Sequence, residues 1–174
     1  GIPALVLKGG VLSHLIYSEP GLRPMSDLDI LVPKSEARRA QGLLSRLGFE
    51  ASLPANGILP DKHMATAFLH TDGLRVAVEI HHNLFSEKKG IPVDVDGLFA
   101  ASLPFSLPPD GFTANTLSYE DMLRHLCLHL QHNILFGQPR LIWIADIVSV
   151  AERFAAEIDW DLIKTQYPLV LNTL

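Results

Sequence analysis

Two aspartates stand inside a segment that otherwise has the pattern of a buried strand, and this pairing constrains the fold more than any other feature. The segment reads SDLDILV and runs from Ser26 to Val32. Successive side chains of a strand point to opposite faces, so Asp27 and Asp29 are predicted to share one face. Their carboxylates would lie about 6–7 Å apart along the strand and repel each other. A hard divalent cation such as Mg²⁺, which prefers oxygen ligands, would remove that repulsion.

Composition and charge narrow the class of protein. Of the 174 residues, 48% are hydrophobic and 19% are charged, which is typical of a globular chain able to bury a core. The formal net charge of −5 argues against a protein that holds a long nucleic acid through its phosphates. A mononucleotide carried with its metal ion remains compatible with this charge.

The sequence also bears on compartment and completeness. Cys127 is the only cysteine, so no disulfide can form within the chain, and we expect a reducing compartment, the cytoplasm. No apolar run reaches about 18 residues, so no membrane-spanning helix is predicted. The first residue is Gly1 rather than methionine, and we expect the sequence to be an excerpt of a longer protein.

Strand and helix patterns alternate over residues 1–103 and predict an α/β lobe. Gly9-Gly10 marks the turn after the first strand, and Ser35 and Gly48 are the predicted N-cap and C-terminal stop of the second helix. Thr71-Asp72-Gly73 has the composition of a hairpin turn. The predicted strands and helices are, in chain order, Ala4–Leu7, Val11–Tyr17 (helix), Asp27–Val32, Glu36–Leu47 (helix), Met64–His70 and Leu74–His82.

Residues 104–117 are rich in proline and glycine at their start and are predicted to be an inter-lobe linker. The apolar period then becomes helical over residues 118–174. Ser118 and Asp121 resemble a capping box and predict a helix from there to about Asn133. A second helix is predicted over Arg140–Glu157, and a third begins near Asp159-Trp160. The second lobe is therefore expected to be all-helical, and truncated.

A third carboxylate lies in the strand predicted at Leu74–His82. Alternation places Arg75, Glu79 and His81 on its polar face, opposite an apolar face. If this strand neighbours the aspartate strand, Glu79 joins Asp27 and Asp29 on one surface. Three carboxylates can hold two Mg²⁺ ions roughly 3.5–4 Å apart, the spacing used for in-line phosphoryl displacement. The simpler alternatives are solvated aspartates at a strand edge and an ion pair of Glu79 with Arg75.

Gly9 and Gly10 offer a cradle for phosphate. They open a predicted helix, where free backbone N–H groups and the positive end of the helix dipole face outward without a Cβ in the way. Neither a dinucleotide fingerprint nor a Walker motif is present. Judged alone, the pair is as compatible with a plain tight turn as with phosphate binding.

The order of these motifs resembles the nucleotidyltransferase superfamily typified by DNA polymerase β. The family signature is an apolar residue, Gly, then Gly or Ser, a helix, a strand bearing Asp-x-Asp, and a third carboxylate on a later strand. Lys8 departs from it by standing where the signature has an apolar residue. The chain also resembles an uncharacterised bacterial nucleotidyltransferase group through Leu7-Lys8-Gly9-Gly10, Gly21-Leu22-Arg23, Asp27–Val32, Val78–His81, His129, Trp143-x-x-Asp146 and Asp159-Trp160.

The resemblance implies an α+β fold, with a nucleotidyltransferase-like mixed β-sheet, flanking helices and a helical lobe behind it. It implies a Mg²⁺-dependent transfer of a nucleoside monophosphate from an NTP, expected to be ATP, to a hydroxyl acceptor with release of pyrophosphate. Two Mg²⁺ ions are expected, and Mn²⁺ can substitute. The acceptor, a small molecule or a macromolecule, is left open. An inactive nucleotide-binding or regulatory module of the same fold is the alternative.

The same resemblance assigns roles to residues. Asp27 and Asp29 are implied metal ligands, and Glu79 is a third ligand or the base that receives the acceptor's proton. Gly9 and Gly10 are implied to bind the triphosphate. For Lys8 and Arg23, only their location supports neutralisation of phosphate charge.

The predicted helical lobe carries a histidine stripe. His125, His129 and His132 lie at i, i+4 and i+7, a spacing typical of a polar seam between helices and less often of a metal site. A histidine-based metal protein is therefore a second alternative function. Asp146 lies among apolar residues and needs a partner, for which one of these histidines is predicted. His81, His129 and Asp146 are the candidates for an acceptor pocket.

Overall fold

The structure, a computed structural model, describes residues 1–52, 61–107, 111–137, 139–171 and 173–174. Its strands are β1 (Leu5–Val6), β2 (Leu28–Leu31), β3 (Glu50–Ser52), β4 (Thr66–Thr71), β5 (Leu74–His81), β6 (Leu103–Leu107) and β7 (Phe112–Thr116). Its α-helices are α1 (Gly9–Leu15), α2 (Ala37–Arg46), α3 (Val95–Ala100), α4 (Tyr119–Leu135), α5 (Leu141–Arg153), α6 (Trp160–Gln166) and α7 (Pro168–Leu171). The α+β fold class expected from the sequence is confirmed.

The strands form one mixed sheet in the order β3-β4-β5-β2-β1-β7-β6. Two neighbouring pairs are parallel, β2 with β5 and β1 with β7, and the other pairs are antiparallel. The hairpin between β4 and β5 forms where the sequence predicts it. Its turn residues Asp72 and Gly73 both have positive φ, 48° and 77°, as a tight two-residue hairpin turn requires.

The segment predicted as a linker instead contributes to the sheet, which corrects that part of the domain organisation. Strands β6 and β7 occupy most of residues 104–117, and β7 lies parallel to β1. Thr116 Oγ1 donates a hydrogen bond to the carbonyl oxygen of Val6 at 2.8 Å, which adds a side-chain contact between β7 and β1. Residues 108–110, part of the Pro and Gly enrichment that suggested a linker, lie outside the described residues.

One hydrophobic core joins the sheet to the C-terminal helices. Its main cluster includes Leu5 of β1, Leu12 of α1, Leu123 of α4 and Val150 of α5, all fully buried. A smaller cluster lies under α2, where Ala37 and Ala40 pack with Val32, Val78 and Ile80. The helices after β7 therefore pack on the same core as β1 rather than on a separate one.

The helix ends follow the sequence in part. Ser118 caps α4 by accepting from the backbone N–H of Asp121, as predicted. The prediction of Ser35 as an N-cap is wrong, because Ser35 lies in a short 3₁₀ turn and α2 begins at Ala37 without a side-chain cap. Among the described helices, none is long and apolar enough to cross a membrane.

Candidate active site

Two carboxylates face each other across neighbouring strands. Asp29 of β2 and Glu79 of β5 are directly paired in the parallel register, so their side chains leave the sheet on the same face. Asp29 is 3% exposed and Glu79 is half-buried. The adjacency on which the sequence argument depends is therefore present.

His81 lies between these carboxylates. It follows Glu79 by two residues, so alternation returns it to the same face of β5. Its Nε2 is 2.7 Å from Asp29 Oδ1 and 3.4 Å from Glu79 Oε2. In the described part of the chain, Asp29, Glu79 and His81 form the group in which three metal-capable side chains bring their ligand atoms within 4.8 Å of one another.

Asp27 has a different place from the one that strand alternation predicts. It precedes β2, which begins at Leu28, and its Oδ1 accepts from Ser26 Oγ at 3.0 Å. The compact group therefore consists of Asp29, Glu79 and His81, whereas the sequence predicted Asp27 as its third member. Asp27 and Asp29 still line one cavity together.

Lys8 is the cation closest to Asp29. Its Nζ lies 2.9 Å from Asp29 Oδ2, and both side chains are largely buried. Lys8 also has a positive φ of 44°, which is unusual for a residue with a Cβ, and it directly precedes α1. Both oxygens of Asp29 are thus engaged, one by Lys8 and one by His81.

The surroundings keep both carboxylates ionised. Burial alone would raise the pKa of Asp29, but the hydrogen bond with His81 and the charge of Lys8 outweigh it and hold that pKa well below its usual value. The hydrogen bond with His81, helped by one from Thr66, lowers the pKa of Glu79 to about 2 against the effect of burial. At neutral pH the pair therefore carries two negative charges. Two carboxylates with an imidazole are a donor set that suits a divalent cation.

Packing gives both glycines of the predicted phosphate cradle a reason to lack a side chain. A Cβ on Gly9 would overlap a guanidinium nitrogen of Arg23. A Cβ on Gly10 would lie 2.5 Å from Leu28 Cδ1 and 2.8 Å from Val6 Cγ1. The close approach of α1 to β1, β2 and Arg23 thus depends on this Gly-Gly pair.

Asp146 has a partner, but not the histidine that the sequence predicts. It is fully buried in α5 and forms an ion pair with Arg23 at 2.6 Å. Tyr17 donates a hydrogen bond to Asp146 Oδ1 at 2.9 Å, and burial, with this bond, raises the pKa of Tyr17 to about 12. The prediction of a histidine partner is wrong, because Arg23 reaches α5 from the loop between α1 and β2. Asp146 therefore anchors that loop.

A cavity of about 240 Å³ lies beside Asp29. Of the residues singled out from the sequence, Lys8, Gly9, Arg23, Asp27, Asp29 and His129 line it, whereas Gly10, Glu79, His81 and Asp146 do not. The helical side contributes Trp143, whose ring meets His129 edge-on with centroids 4.7 Å apart. The cavity is thus bounded both by the sheet and by the helices α4 and α5.

The histidine stripe of α4 does not gather into a metal-capable group within the described residues. Burial lowers the pKa of His125 well below its usual value and that of His129 to about 3. Both rings are therefore neutral at pH 7. His125 packs edge-on against Phe85, with ring centroids 5.8 Å apart, which is the behaviour of a seam between packed elements.

Some site contacts could not be read from the sequence. Thr66 of β4 donates to Glu79 Oε1 at 2.8 Å, and His63 Nε2 lies 3.8 Å from Glu79 Oε2. Alternation along β4 and β5 puts polar residues on a shared face, and this pattern is the sequence feature that could have indicated such contacts. Which of them meet depends on the register between strands, which no single strand reveals.

Comparison with known proteins agrees with this geometry. The family model described as uncharacterised nucleotidyltransferase matches residues 1–167. An antigenic nucleotidyltransferase-like protein from Paracoccidioides brasiliensis has a similar crystal structure, with a TM-score of 0.56 at 16% sequence identity. That likeness covers 99% of this chain and 85% of the other, and at this identity it shows the fold alone. No match to a curated protein was found. Since the family match covers nearly the whole sequence and the fold agrees with it, the chain belongs to the uncharacterised nucleotidyltransferase family of the nucleotidyltransferase superfamily.

Proposed function

We propose that this protein transfers a nucleoside monophosphate from an NTP, ATP in the first instance, to a hydroxyl group of an acceptor, with Mg²⁺ as cofactor. The acceptor oxygen forms a bond to the α-phosphorus as the bond from that phosphorus to the oxygen bridging it to the β-phosphorus breaks. Pyrophosphate leaves with the electron pair, and the hydroxyl proton passes to water.

The observation that carries this proposal is the pairing of Asp29 with Glu79 on adjacent parallel strands. Both carboxylates are held ionised, and one of them, Asp29, lines the cavity of about 240 Å³ in which we place the nucleotide. Asp29, Glu79 and His81 would hold a divalent cation, with Asp27 available from the cavity wall. A bound divalent cation would neutralise phosphate charge and activate the attacking hydroxyl.

The low pKa of Glu79 bears on the two roles that the family resemblance leaves open for it. A general base works best when its pKa lies near the working pH, and a pKa of about 2 is far below that. A permanently ionised carboxylate is instead a good metal ligand. The pairing of Glu79 with Asp29 and its place in the metal-capable group favour metal binding as its role, and the lowered pKa is consistent with that role.

Other residues of the first cavity would position the nucleotide. Lys8 and Arg23 line the cavity as the ion-pair partners of Asp29 and Asp146, and we place the triphosphate beside these two cations. Gly9 lets the chain approach Arg23 closely there. Trp143 and His129 form the helical side of the cavity.

Titration calorimetry with MgATP and with Mn²⁺ tests this assignment, followed by an assay of pyrophosphate release. We expect Asp29→Asn and Asp27→Asn to weaken metal-dependent nucleotide binding at least tenfold. Asp72→Asn is the matched control, since Asp72 lies in an exposed hairpin turn and asparagine tolerates its positive φ. Equal binding by the wild type and by folded Asp29→Asn would remove the proposed site.

One observation favours the inactive nucleotide-binding module as a second candidate. Lys8 and His81 already engage both oxygens of Asp29, so a metal ion must displace or share these partners. A module of this kind would bind MgATP through the cavity and release no pyrophosphate with any hydroxyl acceptor. Metal-dependent pyrophosphate release that Asp29→Asn abolishes would exclude it.

A further inference from the structure

A second cavity, of about 440 Å³, shares the side chain of His129 with the first. Its wall combines basic, aromatic and imidazole side chains with one carboxylate. The residues on which the argument depends are Lys62, Phe85, Lys89, His129, His132 and Phe136. His129 lines both cavities, so the two are neighbours across one side chain.

Backbone contacts fix this cavity next to the paired carboxylates. The carbonyl oxygen of Lys62 accepts from the N–H groups of His82 at 2.9 Å and Asn83 at 3.1 Å, directly after β5 ends. His63, the next residue, forms a bridge with His81. Lys62 is therefore tied to the end of the strand that carries Glu79. A molecule in the second cavity would lie close to the site of transfer.

The described wall has an excess of positive charge. It carries Lys62, Lys88 and Lys89 against the carboxylate of Asp61, which gives a formal balance of +2. Asp61 is itself held by Ser86 Oγ at 2.9 Å. Burial lowers the pKa of Lys62, and the charges of Lys8 and Lys89 add to that effect, while the carboxylates of Asp29 and Glu79 oppose it. An anion in the cavity would offset the cost of desolvating the buried ammonium group of Lys62 and reduce the repulsion between the lysine side chains.

Most of the remaining wall is made of aromatic and aliphatic side chains and imidazole rings. Leu84 and Phe85 are buried, whereas Phe136 is 70% exposed and packs its ring against His132 at a centroid distance of 4.6 Å. Burial lowers the pKa of His132 from its usual value. Neutral rings and lysine methylene groups suit a flat or apolar body better than a fully hydrated ion. The cavity thus offers cationic groups together with an aromatic surface.

We propose that this second cavity binds the acceptor, and that the acceptor is a small hydroxyl compound that joins an anionic group to an apolar, preferably aromatic, body. The inference rests on the proposed function, since it assigns the acceptor to the cavity that borders the nucleotide's. The anion would face Lys62 and Lys89, the body would lie on Phe85 and Phe136, and the hydroxyl would point past His129.

Phenyl phosphate is a suitable probe, with inorganic phosphate and phenol as comparison ligands that have only the charge or only the ring. Binding is followed by NMR through the ring signals of the cavity histidines, with and without Mg²⁺ and a non-hydrolysable ATP analogue. We expect phenyl phosphate to bind at least fivefold more tightly than either comparison ligand. Lys62→Met and Lys89→Met should each weaken it at least fivefold, and the control Lys164→Met, in an exposed pair on α6, should not.

The outcomes separate this inference from the proposed function. Simultaneous binding of phenyl phosphate and the ATP analogue supports the acceptor assignment. If the two ligands compete, or if phenyl phosphate binds the folded Lys62→Met and Lys89→Met variants as tightly as the wild type, the assignment is overturned. If the analogue binds and phenyl phosphate does not, the acceptor inference alone fails. If phenyl phosphate binds and the analogue does not, the proposed function fails and the acceptor role is lost with it.

Discussion

Lys8 combines two features that rarely occur in one residue. Its backbone adopts a positive φ, and its ammonium group contacts the buried carboxylate of Asp29. A non-glycine residue in such a conformation costs on the order of 1–3 kcal/mol, which persists only where surrounding contacts compensate for it. The ion pair with Asp29 is such a contact. In the absence of a divalent cation, Lys8 supplies part of the positive charge that the carboxylates require.

Replacing Lys8 by methionine should make the protein depend on a metal ion for its stability. Lys8→Met leaves Asp29 with His81 as its remaining partner, so the free energy of unfolding without metal should fall by about 1–3 kcal/mol. Mn²⁺ should then raise the unfolding temperature more in the variant than in the wild type, because no lysine competes for Asp29. Differential scanning calorimetry with and without Mn²⁺ measures both effects.

Lys34→Met is the matched control for that substitution, since Lys34 pairs with Glu87 at the exposed surface. It should change neither the stability nor the response to Mn²⁺ appreciably. An equal Mn²⁺ response in Lys8→Met and the wild type would show that Lys8 and the metal ion do not compete for Asp29.

At the same scale, the sequence predicted the candidate site unevenly. Alternation along β5 placed Glu79 and His81 on one face, and the pairing of β2 with β5 brings Asp29 beside them. The contact of Lys8 with Asp29 was not predicted, because it joins residues from separate elements whose approach depends on the packing of α1. The same limit applies to Asp146. Its apolar neighbours in the sequence predicted its burial, but they could not identify Arg23 as its partner.

At the scale of elements, a buried ion pair connects α5 to the loop before β2. Arg23 of that loop contacts Asp146, and its Nη1 also donates to the carbonyl oxygen of Pro24 at 3.0 Å. The next residues of the loop, including Ser26 and Asp27, line the first cavity. The position of one cavity wall therefore depends on a helix more than a hundred residues away, since Arg23 and Asp146 are separated by 123 positions.

Asp146→Asn should destabilise the protein and weaken nucleotide binding together. The variant leaves the buried guanidinium of Arg23 without its counter-charge, and breaking such a pair costs about 3–5 kcal/mol. A loosened loop should also weaken MgATP binding several-fold, although Asp146 does not line the cavity. Urea denaturation and calorimetry measure the two effects.

The comparison for Asp146→Asn is Asp161→Asn on α6, where the pair with Lys164 is exposed. That variant should lose less than about 1 kcal/mol and bind MgATP as the wild type does. If Asp146→Asn were destabilised while its nucleotide affinity stayed intact, the pair would stabilise the fold without positioning the loop.

The elements that the sequence predicted well are those with strong local signals. The hairpin of β4 and β5 follows from Asp72-Gly73, and α4 follows from Ser118 and its helical period. Strands β6 and β7 were missed because Pro104 and the prolines and glycine after it outweighed a short alternating pattern. Pairing of β7 with β1 is a contact over more than a hundred residues, which local propensity does not encode.

For the whole molecule, the paired carboxylates connect stability to pH. The pKa of Glu79 falls from 4.5 to about 2 on folding, so the native state holds this carboxylate ionised where the unfolded chain binds a proton. The stability it supplies is fully present above about pH 4.5 and is lost as the pH falls toward about 2. The lowered pKa of Asp29 acts in the same direction.

The free energy of unfolding should therefore decrease steeply below pH 4.5, and Glu79→Gln should flatten that decrease. Urea denaturation at a series of pH values measures the slope. Glu50→Gln, at an exposed position of β3, should leave the slope unchanged. An equal slope in Glu79→Gln and the wild type would mean that Glu79 is not held ionised by its neighbours in solution.

The order of the strands has a consequence for how copies of this protein behave toward each other. The seven-stranded sheet ends in β3 on one side and β6 on the other, and either edge could accept a strand from another molecule. In the part of the chain that the structure describes, strand β3 has three residues and begins with the charged Glu50. Strand β6 contains Pro104, which has no N–H group to donate. Within the described residues, neither margin presents a long, unbroken row of N–H donors to a strand from another molecule.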